Sequence, residues 1–96
     1  MHAVLRSYSG QGAKELFDVL ERNKSEIGRL ARGIDGFVGF DIVRTPEGGF
    51  TVSIYQDKAS ADESVRVARE WIAKNGGNIT AAPPAITEGS VVLDVR

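Results

Sequence analysis

The chain has 96 residues, of which 42% are hydrophobic and 26% are charged, and its formal net charge is −1. A chain of this size and ordinary composition predicts one small globular domain over residues 1–96. The near balance of charges excludes a general nucleic-acid or membrane-surface binder, and the lack of cysteine excludes disulfides and thiolate metal sites.

Strand-like and helix-like segments alternate along the first part of the chain. "HAVLRSY", residues 2–8, is typical of a strand. Apolar residues at three- and four-residue steps predict one long helix over about 13–32, interrupted by Lys24 and ended by a glycine-rich stretch. "FVGFDIVR" (37–44) and "FTVSIYQ" (50–56) predict two strands, and the turn signal "TPEGG" between them predicts a β-hairpin.

The remaining segment completes a recognisable order of elements. The pattern from Ser60 to Glu63 fits a capping box and predicts a second helix that runs to about Asn75. "SVVLDV", residues 90–95, is predicted as the last strand. The order βαββαβ predicts a ferredoxin-like α+β fold, with a four-stranded antiparallel sheet in the order 4-1-3-2 and the helices on one face.

Alternation along the strands predicts which side chains face the helices, because successive side chains point to opposite sides. We assign the all-apolar rows to the helix side: Val38, Phe40, Ile42, Phe50, Val52 and Ile54. The other row is mixed and includes Phe37, Val43 and Tyr55. A face with that much apolar area is usually covered. We therefore expect a homodimer whose interface includes these three residues.

Several segments carry a family resemblance: "GFVGFDIVR" after the first helix, "IYQDK" at the end of the third strand, and Trp71 late in the second helix. They resemble the dimeric α+β barrel superfamily, and within it small proteins similar to antibiotic-biosynthesis monooxygenases. "MHAVLRSYSGQGAKELF" and "DESVRVAREWI" also resemble short bacterial members without an assigned function. The resemblance covers the whole chain and implies a ligand pocket between helices and sheet. Phe17 and Trp71 are its candidate lining residues, unless both are simply core aromatics.

The resemblance does not extend to the haem-degrading branch of this superfamily. That branch uses an asparagine on strand one, a tryptophan near the end of strand three and a histidine on a helix. This sequence has Ser7 and Tyr55 at the first two places, and its second helix contains no histidine. We therefore expect no cofactor.

Four side chains are the candidate catalytic residues: Arg6, Tyr8, Tyr55 and His2. Alternation predicts the first three on the helix-free face with Asp41 and Asp94, with Arg6 beside Asp94. This set either forms satisfied polar pairs in a dimer interface or lines a cavity there. His2 is either a base near neutral pH or a solvated residue at a strand end. One histidine cannot build a multi-histidine metal site.

The Gly10-Gln11-Gly12 stretch has the spacing of a phosphate-binding loop but not its context. Glu15 stands where a dinucleotide fingerprint needs a third glycine, and no Walker lysine follows at the required place. The stretch therefore predicts a tight strand-to-helix turn. The free N–H groups of the helix start could still attract an anion weakly.

Two functions compete at this point. The first is a site for a small apolar or aromatic ligand, such as that of a cofactor-independent oxygenase or isomerase. The second is a non-catalytic ligand-binding or assembly dimer. An open cavity with a tyrosine or arginine pointing into it favours the first, and a pocket filled by Phe17, Trp71 and aliphatic side chains favours the second. No leader segment or long apolar run is visible, so we expect a cytoplasmic location.

Overall fold

The computed structural model describes residues 1–77 and 79–95. The elements are β1 (His2–Ser9), α1 (Ala13–Arg22), α2 (Lys24–Arg32), β2 (Phe37–Thr45), β3 (Gly48–Tyr55), α3 (Lys58–Asn75) and β4 (Ala85–Ser90). The strands form one antiparallel sheet in the order β2-β3-β1-β4, and the helices pack on one of its faces. The predicted ferredoxin-like α+β fold and strand order are confirmed. Within the described part, no helix is both long and apolar enough to cross a membrane.

The predicted first helix is divided in two at Asn23. The backbone of Asn23 leaves the helical region at φ −119° and ψ 27°, and its side-chain amide donates to the Val19 carbonyl at 2.8 Å. A side chain that bonds to a nearby carbonyl competes with the helical backbone. The break therefore lies one residue before Lys24, where the apolar stripe is interrupted.

The cap of α3 also differs from the prediction. Asp57 is the N-cap, and its carboxylate accepts a hydrogen bond from the Ser60 backbone N–H at 2.8 Å. Ser60 therefore lies inside the first turn, and the helix begins earlier than the capping-box pattern indicates.

The ladder registers determine which side chains face the helices, because directly paired residues share a face. Val4 pairs with Ser53 and Arg6 pairs with Thr51. All four are buried, and Tyr55 in the same row is only 1% exposed. The helices therefore cover the mixed row of β3, which contains hydroxyl groups.

The apolar row of β3 faces the opposite way, so the sequence-based assignment of this strand is wrong. Phe50, Val52 and Ile54 remain partly exposed on the helix-free face. Phe40 and Ile42 of β2 do face the helices, since they pair with Ser53 and Thr51. Alternation separates the two rows of a strand but does not decide which row the helices cover, and on β3 they cover the less apolar row.

The last strand is also displaced from its predicted position. β4 is Ala85–Ser90, and it pairs with β1 from Ser7↔Ala85 to His2↔Ser90. The predicted strand over 90–95 has the stronger apolar pattern, but Ser90 is the one residue of it that belongs to β4. Beyond the ladder, the Val91 N–H donates to the Met1 carbonyl at 3.0 Å. Val92, Leu93 and Val95 are 98%, 78% and 82% exposed in the single chain.

The backbone conformation of the turn between β1 and α1 accounts for its two glycines. Gly10 and Gly12 both have φ of 79°, a left-handed conformation that glycine adopts without steric cost. A Cβ on Gly12 would lie 2.9 Å from the Ala81 Cα atom, so the 79–82 loop also needs the bare backbone. This segment therefore forms the tight turn that the sequence predicts.

The core consists of two clusters of buried side chains. The larger one joins β1, α1 and α3, and its buried members are Tyr8, Ala13, Leu16, Phe17, Val19, Leu20 and Trp71. The smaller one contains Val4, Tyr55 and Ala61. Members of both clusters also line one internal cavity.

Candidate functional site

A cavity of about 70 Å³ lies between the sheet and the helices. The helices and the loop after α2 supply an apolar wall that includes Leu20, Ile27, Leu30, Ala31, Ile34, Val65, Ala68, Trp71 and Ile72. The sheet supplies a mixed floor of Arg6, Tyr8, Phe40, Ile42, Thr51, Ser53 and Tyr55. An apolar space with a few convergent polar groups is the usual composition of a small-molecule site.

Arg6 and Tyr8 form a buried polar pair on this floor. They project from β1 on the helix side and are 7% and 5% exposed. The guanidinium carbon of Arg6 lies 5.5 Å from the centre of the Tyr8 ring. Within residues 1–77 and 79–95, neither the Arg6 Nε atom nor the Tyr8 hydroxyl has a hydrogen-bond partner. Buried polar groups are nearly always satisfied, so these two atoms need an explanation.

Burial perturbs both groups in the direction that disfavours charge. Desolvation lowers the pKa of the Arg6 guanidinium, and the nearby positive charge of Arg69 lowers it further. Desolvation raises the pKa of the Tyr8 phenol, although the two arginines oppose this effect. At neutral pH the site therefore holds a neutral phenol beside a guanidinium, which stays protonated because its ordinary pKa is so high.

The neighbouring hydroxyl groups differ in how well they are satisfied. The Tyr55 hydroxyl donates to the Ala31 carbonyl at 3.4 Å, a long hydrogen bond, and desolvation raises the pKa of its phenol. Ser64 on α3 donates to the Ala61 carbonyl at 2.6 Å. Thr51 and Ser53 were missed as site residues by the sequence analysis. Their signal was present, because they share a row with Tyr55.

Trp71 lines the cavity, whereas Phe17 does not. The Trp71 indole N–H donates to a Glu26 carboxylate oxygen at 3.3 Å, which ties α3 to α2 at the cavity wall. Phe17 is fully buried behind the site, with its ring edge-on to Tyr8 at 5.8 Å between centroids. Phe17 therefore supports Tyr8 and closes the core around Gly49, where any Cβ would overlap its ring.

His2 lies apart from the other candidate catalytic residues. Its Nε2 atom is 2.8 Å from a Glu88 carboxylate oxygen at the exposed end of the sheet, and Lys58 approaches the same carboxylate at 3.7 Å. His2 is not one of the residues that line the cavity. The structure therefore brings Arg6, Tyr8 and Tyr55 together without His2.

The expected helix-free polar set is not observed. Arg6 pairs with Ile86 on β4, so the predicted pairing with Asp94 is wrong, because Asp94 lies beyond the end of that strand. Asp41 does face away from the helices, opposite Val52. The helices cover the row that contains Arg6, and this row is the floor of the cavity.

Two of the three expected interface residues also lie on the helix side. Tyr55 belongs to the buried row of β3, and Phe37 packs against Tyr55 and Ala61 beneath the helices. An irregularity in the β2 ladder between Phe37 and Gly39 shifts the alternation, which brings Phe37 to the same face as Phe40. Val43 alone of the three lies on the helix-free face, and it is 37% exposed.

No model of a protein family and no curated protein matches the chain, but several solved structures share its fold. A protein of unknown function from Nitrosomonas europaea has a TM-score of 0.72 at 17% identity, over 99% of this chain and 91% of that one. A candidate antibiotic biosynthesis monooxygenase from Bordetella bronchiseptica has a TM-score of 0.71 at 20% identity, over 96% and 97%. The haem degrader MhuD from Mycobacterium tuberculosis, with two haems in its active site, has a TM-score of 0.70 at 19% identity, over the full length of both chains.

These likenesses show that the chain has the same fold as these three proteins. A haem in this cavity would have no histidine ligand among the described residues. His2 is the only histidine and is held by Glu88 outside the cavity. In the described part of the chain, no group of three His, Cys, Asp or Glu residues could hold a metal ion. On β1 the residues facing the cavity are Arg6 and Tyr8, and Ser7 faces away.

Proposed function

We propose that this chain forms a homodimer in which each subunit binds a small apolar or aromatic molecule between its sheet and helices. One observation carries the proposal: the cavity has an apolar wall, and a buried arginine and tyrosine point into it. A core that served packing alone would be expected to fill this space with apolar side chains. A cytoplasmic location remains a prediction from composition.

The size of the cavity limits what can enter without rearrangement. At about 70 Å³ it is smaller than typical ligand pockets of roughly 300–1,000 Å³. α2 is the wall best suited to move outward, because Ala31 is the one residue of its nine that is buried. It is also bounded by the break at Asn23. A cavity that holds benzene has about 150 Å³. We therefore expect even single-ring compounds to displace α2 when they enter.

The dimer part of the proposal rests on the helix-free face of the sheet. Leu5, Phe50, Val52, Ile54 and Val43 share this face and are at most partly buried in the single chain. A contiguous apolar surface of this kind on a small protein usually marks an interface. A second copy is the simplest partner, since two equal sheets can cover each other.

The chemistry that suits this site is cofactor-independent. In an oxygenation of an electron-rich ring, a carbanion of the substrate itself gives its electrons to dioxygen, which is the oxidant. An isomerisation next to a carbonyl proceeds through the same kind of carbanion and needs no oxidant. Such a site needs shape, exclusion of water and a group that moves or stabilises charge. Arg6 would stabilise the anion, and Tyr8 or Tyr55 would exchange its proton. The alternative, a binding or assembly dimer without catalysis, would use the same fold with an inert cavity.

Binding can be tested with the single tryptophan of the chain as the reporter. We expect toluene, phenol or benzamide to shift the Trp71 indole N–H signal in ¹⁵N NMR spectra in a saturable way. Ala68→Leu fills the cavity wall and should abolish the shift. Ala73→Leu, an exposed position on the same helix, should preserve it. If none of the three compounds moves the signal in the unaltered protein, the proposed site is wrong.

A further inference from the structure

Arg6 carries a buried positive charge for which the described residues supply no counterion. It takes part in none of the ion pairs formed within residues 1–77 and 79–95. Its Nε atom is buried without an acceptor. Burying a charge is costly unless that charge is paired and hydrogen-bonded, and arginine cannot escape the cost by releasing its proton.

Arg6 differs from two exposed arginines of the chain, which are paired with carboxylates. Arg44 contacts two carboxylates, those of Asp18 at 2.8 Å and Glu21 at 2.7 Å. Arg66 is likewise paired with two glutamates along α3. Four further arginines form no ion pair within the described part of the chain but are exposed, so water solvates them: Arg22, Arg29, Arg32 and Arg69. Among the described residues, Arg6 is therefore the one arginine that lacks both water and a partner. This pattern is unfavourable for stability and indicates that a partner for Arg6 comes from outside the chain.

Tyr8 adds a second unsatisfied donor at the same cavity. Its hydroxyl is buried without a partner, and its phenol remains neutral because burial raises its pKa. A buried water could satisfy a hydroxyl group, but it could not neutralise a guanidinium. Two donors, one of them cationic, call for an acceptor that carries negative charge.

We infer that the ligand of this cavity carries a carboxylate group, which Arg6 and Tyr8 bind, and an apolar body that packs against Leu20, Ile42, Trp71 and Ile72. A carboxylate matches the planar fork of donors on a guanidinium, of which Nε is one member. Arg69 lies close enough to perturb both groups electrostatically, so the entrance of an anion is favoured. This inference rests on the proposed function, since it names the ligand class of the same site.

The test compares benzoate with benzamide, two planar compounds of nearly equal shape that differ in charge. Their dissociation constants are measured from the Trp71 indole shift. We expect benzoate to bind at least about 10-fold more tightly, about 1.4 kcal/mol, because a charge-assisted hydrogen bond is stronger than a neutral one. In Arg6→Met the two constants should become nearly equal, through weaker binding of benzoate. Arg44→Met removes the same charge outside the cavity and should preserve the preference.

Stability without any ligand provides a second readout. Methionine fills much of the arginine's space without a charge, so Arg6→Met should melt at the same temperature as the unaltered protein or above it. If Arg6→Met does not fold, Tyr8→Phe replaces it in the binding test. Tyr8→Phe should weaken the binding of benzoate more than that of benzamide, because a hydrogen bond to a charged acceptor is stronger.

The possible results distinguish a failure of the carboxylate inference from a failure of the proposed function. Benzamide binding as tightly as benzoate, or a preference for benzoate that survives Arg6→Met, would overturn the carboxylate inference while the cavity remains a ligand site. A lower melting temperature for Arg6→Met would overturn the claim that its charge is unpaired in the empty protein. No binding of any compound would remove the proposed function, and this inference with it.

Discussion

At the scale of single residues, the two tyrosines make the burial of the cavity floor measurable. Tyr8 and Tyr55 are the only phenols in the chain, and desolvation is the largest cause that raises the pKa of each above 10. We therefore expect phenolate absorbance to develop with midpoints above pH 10 in the folded protein. A tyrosine that ionises at or below pH 10 in the folded state would contradict the buried placement.

The same shifts determine how stability depends on pH. When the folded-state pKa of a phenol is raised, its contribution is fully present below the unfolded value and is lost as pH rises through the folded one. The melting temperature should therefore fall above about pH 10, and Tyr8→Phe should make that fall shallower. Arg6→Met should raise the pKa of Tyr8 further, since the positive charge of Arg6 lowers it.

Sequence reasoning selected Arg6, Tyr8 and Tyr55 but assigned them to the wrong face. The residue types were informative, because a tyrosine and an arginine within an apolar strand need partners. Their direction could not be derived from the pattern, because the more apolar row of β3 lies on the helix-free face, contrary to the usual rule. Polar rows normally face water, and this one is buried because it forms the floor of a cavity. Departures from the local rule of this kind are expected at functional sites.

At the scale of elements, the turn between β1 and α1 contains two glycines that are needed for different reasons. Gly10 and Gly12 share the same left-handed conformation, but a Cβ would meet open space at Gly10 and the 79–82 backbone at Gly12. We expect Gly10→Ala to lower the free energy of unfolding by about 1–2 kcal/mol through conformation alone. Gly12→Ala should lower it more, because the loop must also move. Urea unfolding of the two variants measures both effects.

The same pair tests whether this turn binds nucleotides. Neither ATP nor NAD should bind with a dissociation constant below about 10 μM, about −7 kcal/mol, because the fingerprint residues are missing. Calorimetric titration decides this. Tight nucleotide binding that Gly12→Ala abolishes with the fold intact would contradict the structural role.

The order of elements was predictable from sequence, but their ends were not. Periodicity and turn signals follow from local residues, which is why the sheet order and the hairpin were obtained. The end of β4 depends on its pairing with β1, whose first residue lies opposite Ser90, and this is a property of another part of the chain. The strand therefore formed on "AITEGS" and left the more apolar residues 91–95 beyond it. The break at Asn23 likewise depends on one side-chain hydrogen bond.

At the scale of the whole molecule, two apolar surfaces lack cover in the single chain. One is the helix-free face of the sheet with Val52 near its middle, and the other is the segment over 91–95. Val92, Leu93 and Val95 are 98%, 78% and 82% exposed. Three such exposed apolar side chains within four residues are unusual. Both surfaces extend from the sheet, so one partner could cover both. A domain of this size has little core to spare, and covering these surfaces would add to its stability.

We therefore expect the protein to sediment as a dimer at micromolar concentration. Val52→Lys places a charge in the middle of the helix-free face, where pairing would bury it without a partner, so this variant should sediment as a monomer. Ala73→Lys adds the same charge on the exposed side of α3 and should remain a dimer. A chain that stops after Ser90 should dimerise more weakly, because it lacks the apolar segment. An unaltered protein that sediments only as a monomer, or a Val52→Lys variant as dimeric as its control, would show that these surfaces do not join two copies.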